Sequence, residues 1–215
     1  MGQTRIYLLR HGETTWNAER RYQGSLDSPL SATGWQQALR LREALRSAPL
    51  VAVYSSPLRR ALDTARVIAE PHSLPVTPHE GLHEIRVGEW EGLTVAEIES
   101  RYVDALQQWH TTPHLARIPG GETIEEMRNR AAAALVEIRR RHESGRVAVV
   151  AHGGVNKAIL LTLLGAPLSA YWRIRQHNGC INVLEYDGDR TRLLVMNETA
   201  HLAPRGDADA PPVRF

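Results

Sequence analysis

Three short stretches of the sequence place basic residues and glycines directly after apolar runs, a pattern suited to holding and transferring a phosphate. They are Arg10-His11-Gly12 after "IYLL", Ser55-Ser56-Pro57 after "LVAVY" with Arg59 following, and His152-Gly153-Gly154 after "VAVVA". An arginine guanidinium presents a planar fork of N–H donors that matches phosphate oxygens. A neutral imidazole is a nucleophile toward phosphorus. The residue types therefore predict phosphoryl chemistry with a histidine nucleophile.

Other interpretations of these residues stay open at this point. Taken alone, Arg59 and Arg60 are typical of a solvated helix start, whereas His152 stands where an all-apolar strand ends. The histidines lack the His-x-x-x-His spacing of a helical metal site, and no acidic residues cluster beside His11 or His152. A Walker-type loop is also missing from the sequence. We therefore expect neither a metal nor any other cofactor.

The elements that carry these stretches alternate between short apolar strands and longer segments of helical period. Strands are predicted at 5–9, 49–56 and 146–152, helices after Ser31, after Ser56 and over 121–142 and 153–165, and a hairpin for "CINVLEY" and "RLLVMN". Ser56 is expected to cap its helix with Pro57 in the first turn. The alternation predicts an α/β three-layer sandwich, a mostly parallel sheet with helices on both faces. The carboxyl ends of such strands form a ligand crevice.

Composition narrows the possible partners and locations. The 215 residues include 26 basic and 24 acidic side chains, a net charge of +2, which argues against binding nucleic acid through bulk charge. The single cysteine, Cys180, is expected to be a buried core residue. No apolar run is long enough to span a membrane, so a cytoplasmic protein is expected. We expect a single catalytic domain over 1–203 and a flexible tail over 204–215.

Five stretches, taken in order, resemble the histidine phosphatase superfamily, specifically its phosphoglycerate-mutase-like branch. They are "LLRHGETTWN", "YSSPLRRALDTA", "LHEIRVGEWEG", "PGGET" and "VVAHGG". The resemblance extends from about Arg5 to Leu202. The Arg-His-Gly triplet alone is weak evidence, but the ordered set is specific.

The resemblance implies a role for each matching residue. His11 would be the nucleophile, Glu84 the proton donor to the leaving oxygen, and the remaining matches phosphate or substrate contacts: Arg10, Arg59, His152, Gly153, Asn17, Gln23 and Gly24. Structural alternatives stay open for three of them. Asn17 could cap a turn, Gln23 could be a surface residue, and Glu84 could pair with Arg86.

The implied activity is metal-independent hydrolysis of small phosphate monoesters through a phosphohistidine. Mutases of this branch carry a longer insertion after the acid, whereas this chain has the compact "EIRVGEWEGLTVAEIESRY". A phosphoglycerate mutase and a non-catalytic module that binds phosphorylated ligands remain alternatives. A cap over 93–120 is expected to select the alcohol. Candidate contacts there and elsewhere are Trp109, His110, His114, Arg117, His83, Trp90, His177 and His201, and a homodimer stays open.

Overall fold

The computed structural model describes residues 2–188 and 190–203, and within them six strands form one sheet. The strands are β1 (Gln3–Arg10), β2 (Leu50–Ser55), β3 (Val76–Pro78), β4 (Gly145–Ala151), β5 (Ile181–Asp187) and β6 (Arg190–Glu198). Their order is β3-β2-β4-β1-β5-β6. Strands β1 to β4 run parallel to one another, and β5 pairs antiparallel with both β1 and β6. The predicted mostly parallel sheet and the late hairpin are confirmed.

Seven α-helices surround the sheet within the described part of the chain. They are α1 (Thr15–Ala18), α2 (Ala32–Leu45), α3 (Arg59–Ala69), α4 (Val95–Arg101), α5 (Val103–Thr111), α6 (Ile124–Arg141) and α7 (Gly153–Leu163). Short 3-10 helices connect several of them, among them one at Leu168–Arg173. Ser31 caps α2, and Thr123 begins α6 with a capping box that Glu126 completes.

Two apolar cores cover the two faces of the sheet. In β1, Ile6 and Leu8 face the core formed with α6 and α7, whereas Tyr7 and Leu9 face the core formed with α2 and α3. This alternation follows from the two-residue period of a strand. A central strand is therefore apolar on both sides, and the expected three layers are present. Helices α4 and α5 of the 93–120 segment bury Ile98, Leu106 and Trp109 in the first core.

The start of α3 differs from the prediction. The helix begins at Arg59, because Leu58 keeps an extended backbone (ψ 135°) and makes no side-chain cap. Ser56 is thus not the cap, and Pro57 precedes the helix. The Ser56 hydroxyl instead accepts the Leu58 N–H at 3.3 Å.

Two sequence predictions concern the extent of the chain. The expected tail over 204–215 lies outside the described residues, and the single-domain boundary stays a prediction. Across 2–188 and 190–203, no helix combines the length and apolarity needed to cross a lipid bilayer.

Candidate active site

The carboxyl ends of β1, β2 and β4 meet because these strands are neighbours in the sheet. A cavity of about 450 Å³ opens there, and Arg10, His11, Glu84 and Gly153 line it. The first and third stretches thus reach one crevice, and the second contributes Arg60, the residue after the predicted Arg59. The cavity wall also contains residues of the chain between α1 and α2, and residues near the Leu168–Arg173 helix.

His11 is held in one tautomer. Its ring is only 2 % exposed, and Nδ1 lies 2.6 Å from the Gly12 carbonyl oxygen. A carbonyl only accepts, so Nδ1 carries the proton and donates it, which leaves the Nε2 lone pair for attack. Burial, together with the nearby Arg60 and Arg10 guanidiniums, holds the pKa of His11 well below its ordinary value. The ring is therefore neutral at physiological pH.

His152 is buried against His11. The two ring centroids are 5.0 Å apart in an edge-to-face arrangement. His152 Nε2 lies 2.7 Å from the Ser56 hydroxyl, while its buried Nδ1 has no hydrogen-bond partner among the described residues. Ser56 already accepts from Leu58, so its O–H is free to donate to Nε2, and Nδ1 then carries the proton. His152 can thus offer an N–H to a phosphate oxygen.

Arg60, which the sequence interpretation did not choose, is the arginine of the pair that lines the cavity. It is 1 % exposed. Its Nη1 donates to the Leu26 carbonyl at 2.8 Å and to Asp27 Oδ1 at 3.2 Å, and its Nη2 donates to the Gly24 carbonyl at 2.8 Å. The buried Nε has no partner in the described chain. Since a guanidinium has five N–H donors, Arg60 keeps Nε–H and one Nη2–H on a single edge for an anion.

The choice of Arg59 was wrong on geometric grounds. Its side chain is 72 % exposed and pairs with Asp63 on the surface, with Nε 3.4 Å from Oδ2. The buried face of α3 includes Arg60, Thr64 and Ile68, which follow one another at intervals of four residues. In the sequence, the residue four positions after Arg59 is the charged Asp63, whereas Thr64 and the apolar Ile68 follow Arg60, and this contrast is the signal that would have favoured Arg60.

Arg10 faces the cavity next to the start of α7. Its Nη1 donates to the Gln176 carbonyl at 2.5 Å, and its buried Nε has no partner in the described residues. A Cβ at Gly153 would lie 3.3 Å from the Arg10 guanidinium carbon. Glycine at this position therefore keeps room for the guanidinium. Arg10 and Arg60 both retain an Nε donor that no group in the described residues accepts.

Glu84 is fixed by backbone amides at the start of α7. Its Oε2 accepts the Gly154 N–H at 3.0 Å, and its Oε1 accepts those of Val155 at 3.2 Å and Ile85 at 3.0 Å. A Cβ on Gly154 would come within 2.5 Å of Glu84 Oε1, so the glycine permits the close approach. The alternative salt bridge with Arg86 is absent from the described structure, where Arg86 lies 3.6 Å from Glu122.

Asn17, Gln23 and Gly24 also line the cavity. Asn17 both completes a capping box with Thr14 and accepts from Asn178 Nδ2 at 3.1 Å, so the capping alternative and the cavity position hold together. Gln23 accepts from the Ser28 hydroxyl at 3.0 Å. Gly24 has a φ of +53°, a left-handed conformation that glycine adopts without strain.

Among the candidates for the leaving-group side, Trp109 lines the cavity. Trp90 is a fully buried core residue, and His201 is held by Glu198 and the Gly179 carbonyl. Sequence reasoning missed Lys157, Tyr171, Trp172 and Gln176, which also line the cavity. Lys157 lies one helical turn after Gly153, which was a usable signal, but its aromatic neighbours come from a distant segment. No three His, Cys, Asp or Glu side chains in the described chain group as a metal site.

Comparison with known proteins places this geometry in a family. The family model of the histidine phosphatase superfamily (branch 1) matches residues 6–199. The chain belongs to that superfamily. Phosphoserine phosphatase 1 of Hydrogenobacter thermophilus is 37% identical over 198 residues, 92% of this chain and 94% of its own. A probable phosphoglycerate mutase GpmB of Salmonella choleraesuis is 36% identical over 181 residues, 84% of both chains.

The solved structure of Bacillus stearothermophilus YhfR superposes on this histidine phosphatase with a TM-score of 0.91 at 36% identity, covering 93% of this chain and 100% of that one. The family and fold expected from the sequence are confirmed. Membership and the similarity to a phosphoserine phosphatase support phosphatase activity on phosphate monoesters. The mutase alternative is not better supported.

Proposed function

We propose that this histidine phosphatase hydrolyses small phosphate monoesters, without a metal, through a phosphohistidine at His11. The observation that carries the proposal is the neutral His11 ring. Its Nδ1 is held by the Gly12 carbonyl, and it lies near the Arg10 and Arg60 guanidiniums, whose Nε donors have no partner in the described residues. Phosphoryl transfer is catalysed mainly by positioning and by neutralising charge on the equatorial oxygens. Arg10, Arg60 and His152 supply N–H donors of that kind.

In the first step, His11 Nε2 attacks phosphorus and the bond from phosphorus to the ester oxygen breaks. Glu84, in its acid form, gives its proton to the departing alkoxide. A positioned general acid of this kind contributes about 10²- to 10⁴-fold in rate. In the second step, water attacks the phosphohistidine, Glu84 takes the proton from that water, and inorganic phosphate and free His11 are formed.

The deciding experiment measures phosphate release from p-nitrophenyl phosphate by protein treated with EDTA. We expect turnover to continue in EDTA, and we expect His11→Ala to abolish it. Rapid quenching at alkaline pH should trap a phosphorylated peptide that contains His11. EDTA-sensitive turnover would instead indicate a metallohydrolase, and phosphate binding without turnover would indicate the non-catalytic module.

The choice between hydrolase and mutase has its own assay. The chain between Glu84 and α4 contains only a short 3-10 helix at Gly88–Trp90 and turns, without a long insertion that would shield the phosphohistidine from water. This supports hydrolysis. With 3-phosphoglycerate and a trace of the bisphosphate, we expect phosphate release to exceed isomerisation; dominant isomerisation would reverse the assignment.

The identity of the alcohol, a cytoplasmic location and a homodimer stay predictions from the sequence. A screen of phosphate esters tests the first, cell fractionation the second and size-exclusion chromatography the third. A nucleic acid and a membrane surface are not expected as partners, since the charge balance of +2 offers no large basic excess.

A further inference from the structure

Lys157 is the single lysine among the 26 basic residues of the sequence, and it lies in the cavity of the candidate active site. It belongs to α7, one turn after Gly153, which lies beside Arg10. Its ammonium nitrogen Nζ is 4.1 Å from the centroid of the Trp172 ring and 4.8 Å from that of Tyr171. The aromatic faces thus fix where the cation lies.

The ammonium group has no anionic partner in the described part of the chain. Its Nζ makes cation–π contacts with the two rings, and no carboxylate oxygen of the described residues lies within 4.0 Å of it. Glu84 is close enough to interact with Lys157 electrostatically but forms no direct ion pair with it, and its two oxygens accept backbone N–H groups. Burial and the nearby Arg10 guanidinium lower the pKa of Lys157 to about 8. A largely buried cation without an anion is costly, and a bound anion would offset that cost.

The rings around Lys157 form a defined wall of the cavity. Trp172 Nε1 donates to the Trp109 carbonyl at 2.6 Å, which ties the Leu168–Arg173 helix to α5. Trp109, Tyr171 and Trp172 pack against one another with centroid distances of 5.0 to 5.8 Å. The wall around the lysine is therefore aromatic, and its rings contact one another. If the alcohol portion of the ester extends from His11 toward these rings, it meets the charged Lys157 ammonium among aromatic side chains.

We infer that Lys157, framed by Tyr171 and Trp172, binds an anionic group on the alcohol portion of the ester and so selects phosphate monoesters that carry a second anion. That anion is a carboxylate or a second phosphate, the two groups that an ammonium donor serves equally well. The inference rests on the proposed phosphatase function. It assigns substrate selection to a residue of α7 that takes no part in the transfer itself.

A matched set of esters tests the inference. Propyl phosphate, 3-phosphonooxypropionate and propane-1,3-diol bisphosphate share three carbons and differ at the far end: no charge, a carboxylate or a phosphate. We expect wild-type kcat/KM to be about 10- to 100-fold higher for at least one anionic ester than for propyl phosphate, as a charge-assisted hydrogen bond would give. The ester with the higher value identifies the anion.

The variants Lys157→Met, Lys157→Arg and Arg140→Met test the residue. Lys157→Met should reduce the preference for the anionic ester over propyl phosphate about tenfold, and Lys157→Arg should restore most of it. Arg140 is exposed on α6 and forms no ion pair within the described residues, so its variant controls for the loss of one positive charge. If Lys157→Met slows all three esters equally, the lysine acts through Glu84 or the fold, and the inference is overturned.

A second measurement does not depend on turnover. Reductive methylation with ¹³C-formaldehyde labels Lys157 and the N-terminal amine, so one NMR signal reports the lysine. With phosphate saturating the catalytic site, added propionate should raise the pKa of Lys157, whereas propionamide should not. An equal response to both ligands would refute the subsite. Wild-type protein that hydrolyses the esters without preferring an anionic one overturns this inference alone, while failure to hydrolyse any ester overturns the proposed function.

Discussion

The rings of His11 and His152 lie edge to face with their centroids 5.0 Å apart, and each ring is oriented by a different partner. The Gly12 carbonyl fixes His11, and the Ser56 hydroxyl fixes His152. Both rings stand at the ends of neighbouring strands, β1 and β4. The sheet register therefore sets their separation, while the two hydrogen bonds set which nitrogen of each ring stays available to a ligand.

Replacing Ser56 with alanine should impair catalysis through His152. The buried Nε2 would lose its partner, and Nδ1 would no longer be held as the donor. We expect kcat/KM to fall about 10- to 100-fold, the usual cost of losing an orienting hydrogen bond. Ser55→Ala is the matched control, because Ser55 is equally buried but donates to the Ser56 carbonyl at 2.8 Å. Equal activity of the two variants would contradict the assigned role of Ser56.

The adjacent arginines should respond very differently to substitution by lysine. Arg60→Lys replaces the planar guanidinium, whose two Nη atoms reach the Leu26 and Gly24 carbonyls while Nε stays available, with a single nitrogen that lacks this spread of donors, so we expect kcat/KM to fall at least about 100-fold. Arg59→Lys changes an exposed side chain, and activity should stay within about threefold. Steady-state kinetics with p-nitrophenyl phosphate, alongside thermal unfolding of both variants, makes the comparison. A larger loss for Arg59→Lys would restore the original choice from the sequence.

Glu84→Gln should discriminate between leaving groups. Propoxide needs a proton as it leaves, whereas p-nitrophenolate does not, so kcat/KM should fall about 10²- to 10⁴-fold for propyl phosphate and much less for p-nitrophenyl phosphate. The ratio kcat/KM reports the first transfer and excludes the later hydrolysis of the phosphohistidine. Glu80→Gln serves as the control, since Glu80 is exposed. Equal losses on both esters would remove Glu84 from the role of acid.

The stability of the fold should depend on pH through the two buried histidines. Burial keeps the pKa values of His11 and His152 well below 6.5, so below about pH 6.5 the unfolded chain binds protons that the folded chain does not. The free energy of unfolding is therefore fully retained above that pH and declines as the pH falls. Each ring contributes a slope of up to about 1.4 kcal/mol per pH unit.

Urea unfolding followed by tryptophan fluorescence between pH 7.5 and 5 measures this decline. The double variant His11→Gln/His152→Gln should show a shallower dependence. A residual slope is expected from His142, whose pKa partial burial also lowers. A constant free energy of unfolding over this range in the wild type would show that the buried rings take up protons without cost.

The strands were predictable because central strands of a parallel sheet are apolar on both faces. The strand predicted at 146–152 is β4 at Gly145–Ala151, and the strand predicted at 5–9 is the middle of β1. The start of α3 was not predictable by the same reasoning. Pro57 suits the first turn of a helix, yet the extended backbone of Leu58 delays the helix until Arg59. That delay depends on contacts of Ser56 with a strand that lies far away in the sequence.

The residues of the candidate site also divide into those that the sequence predicts and those that it does not. The sequence alone predicts that Arg10, His11 and His152 could share one crevice, because the carboxyl ends of parallel strands lie at the same edge of a sheet. Glu84 required the family resemblance, since it comes from a stretch without regular periodicity. The aromatic wall around Lys157 could not be foreseen, because Trp109 and Trp172 are brought together by packing between segments 63 positions apart.

The N-terminal end of α7 contributes three different contacts to the candidate site. At the start of α7, His152 lies beside His11, the amide of Gly154 donates to Glu84, and the Lys157 ammonium lies against the Trp172 ring. Lys157 contributes its side chain, whereas Gly154 contributes only its main-chain N–H. Under the role we propose for Lys157, a substitution at position 157 would change the range of esters accepted while the contacts of His11 and Glu84 stay as they are. Relatives of similar fold and different substrate are the outcome that such an arrangement favours.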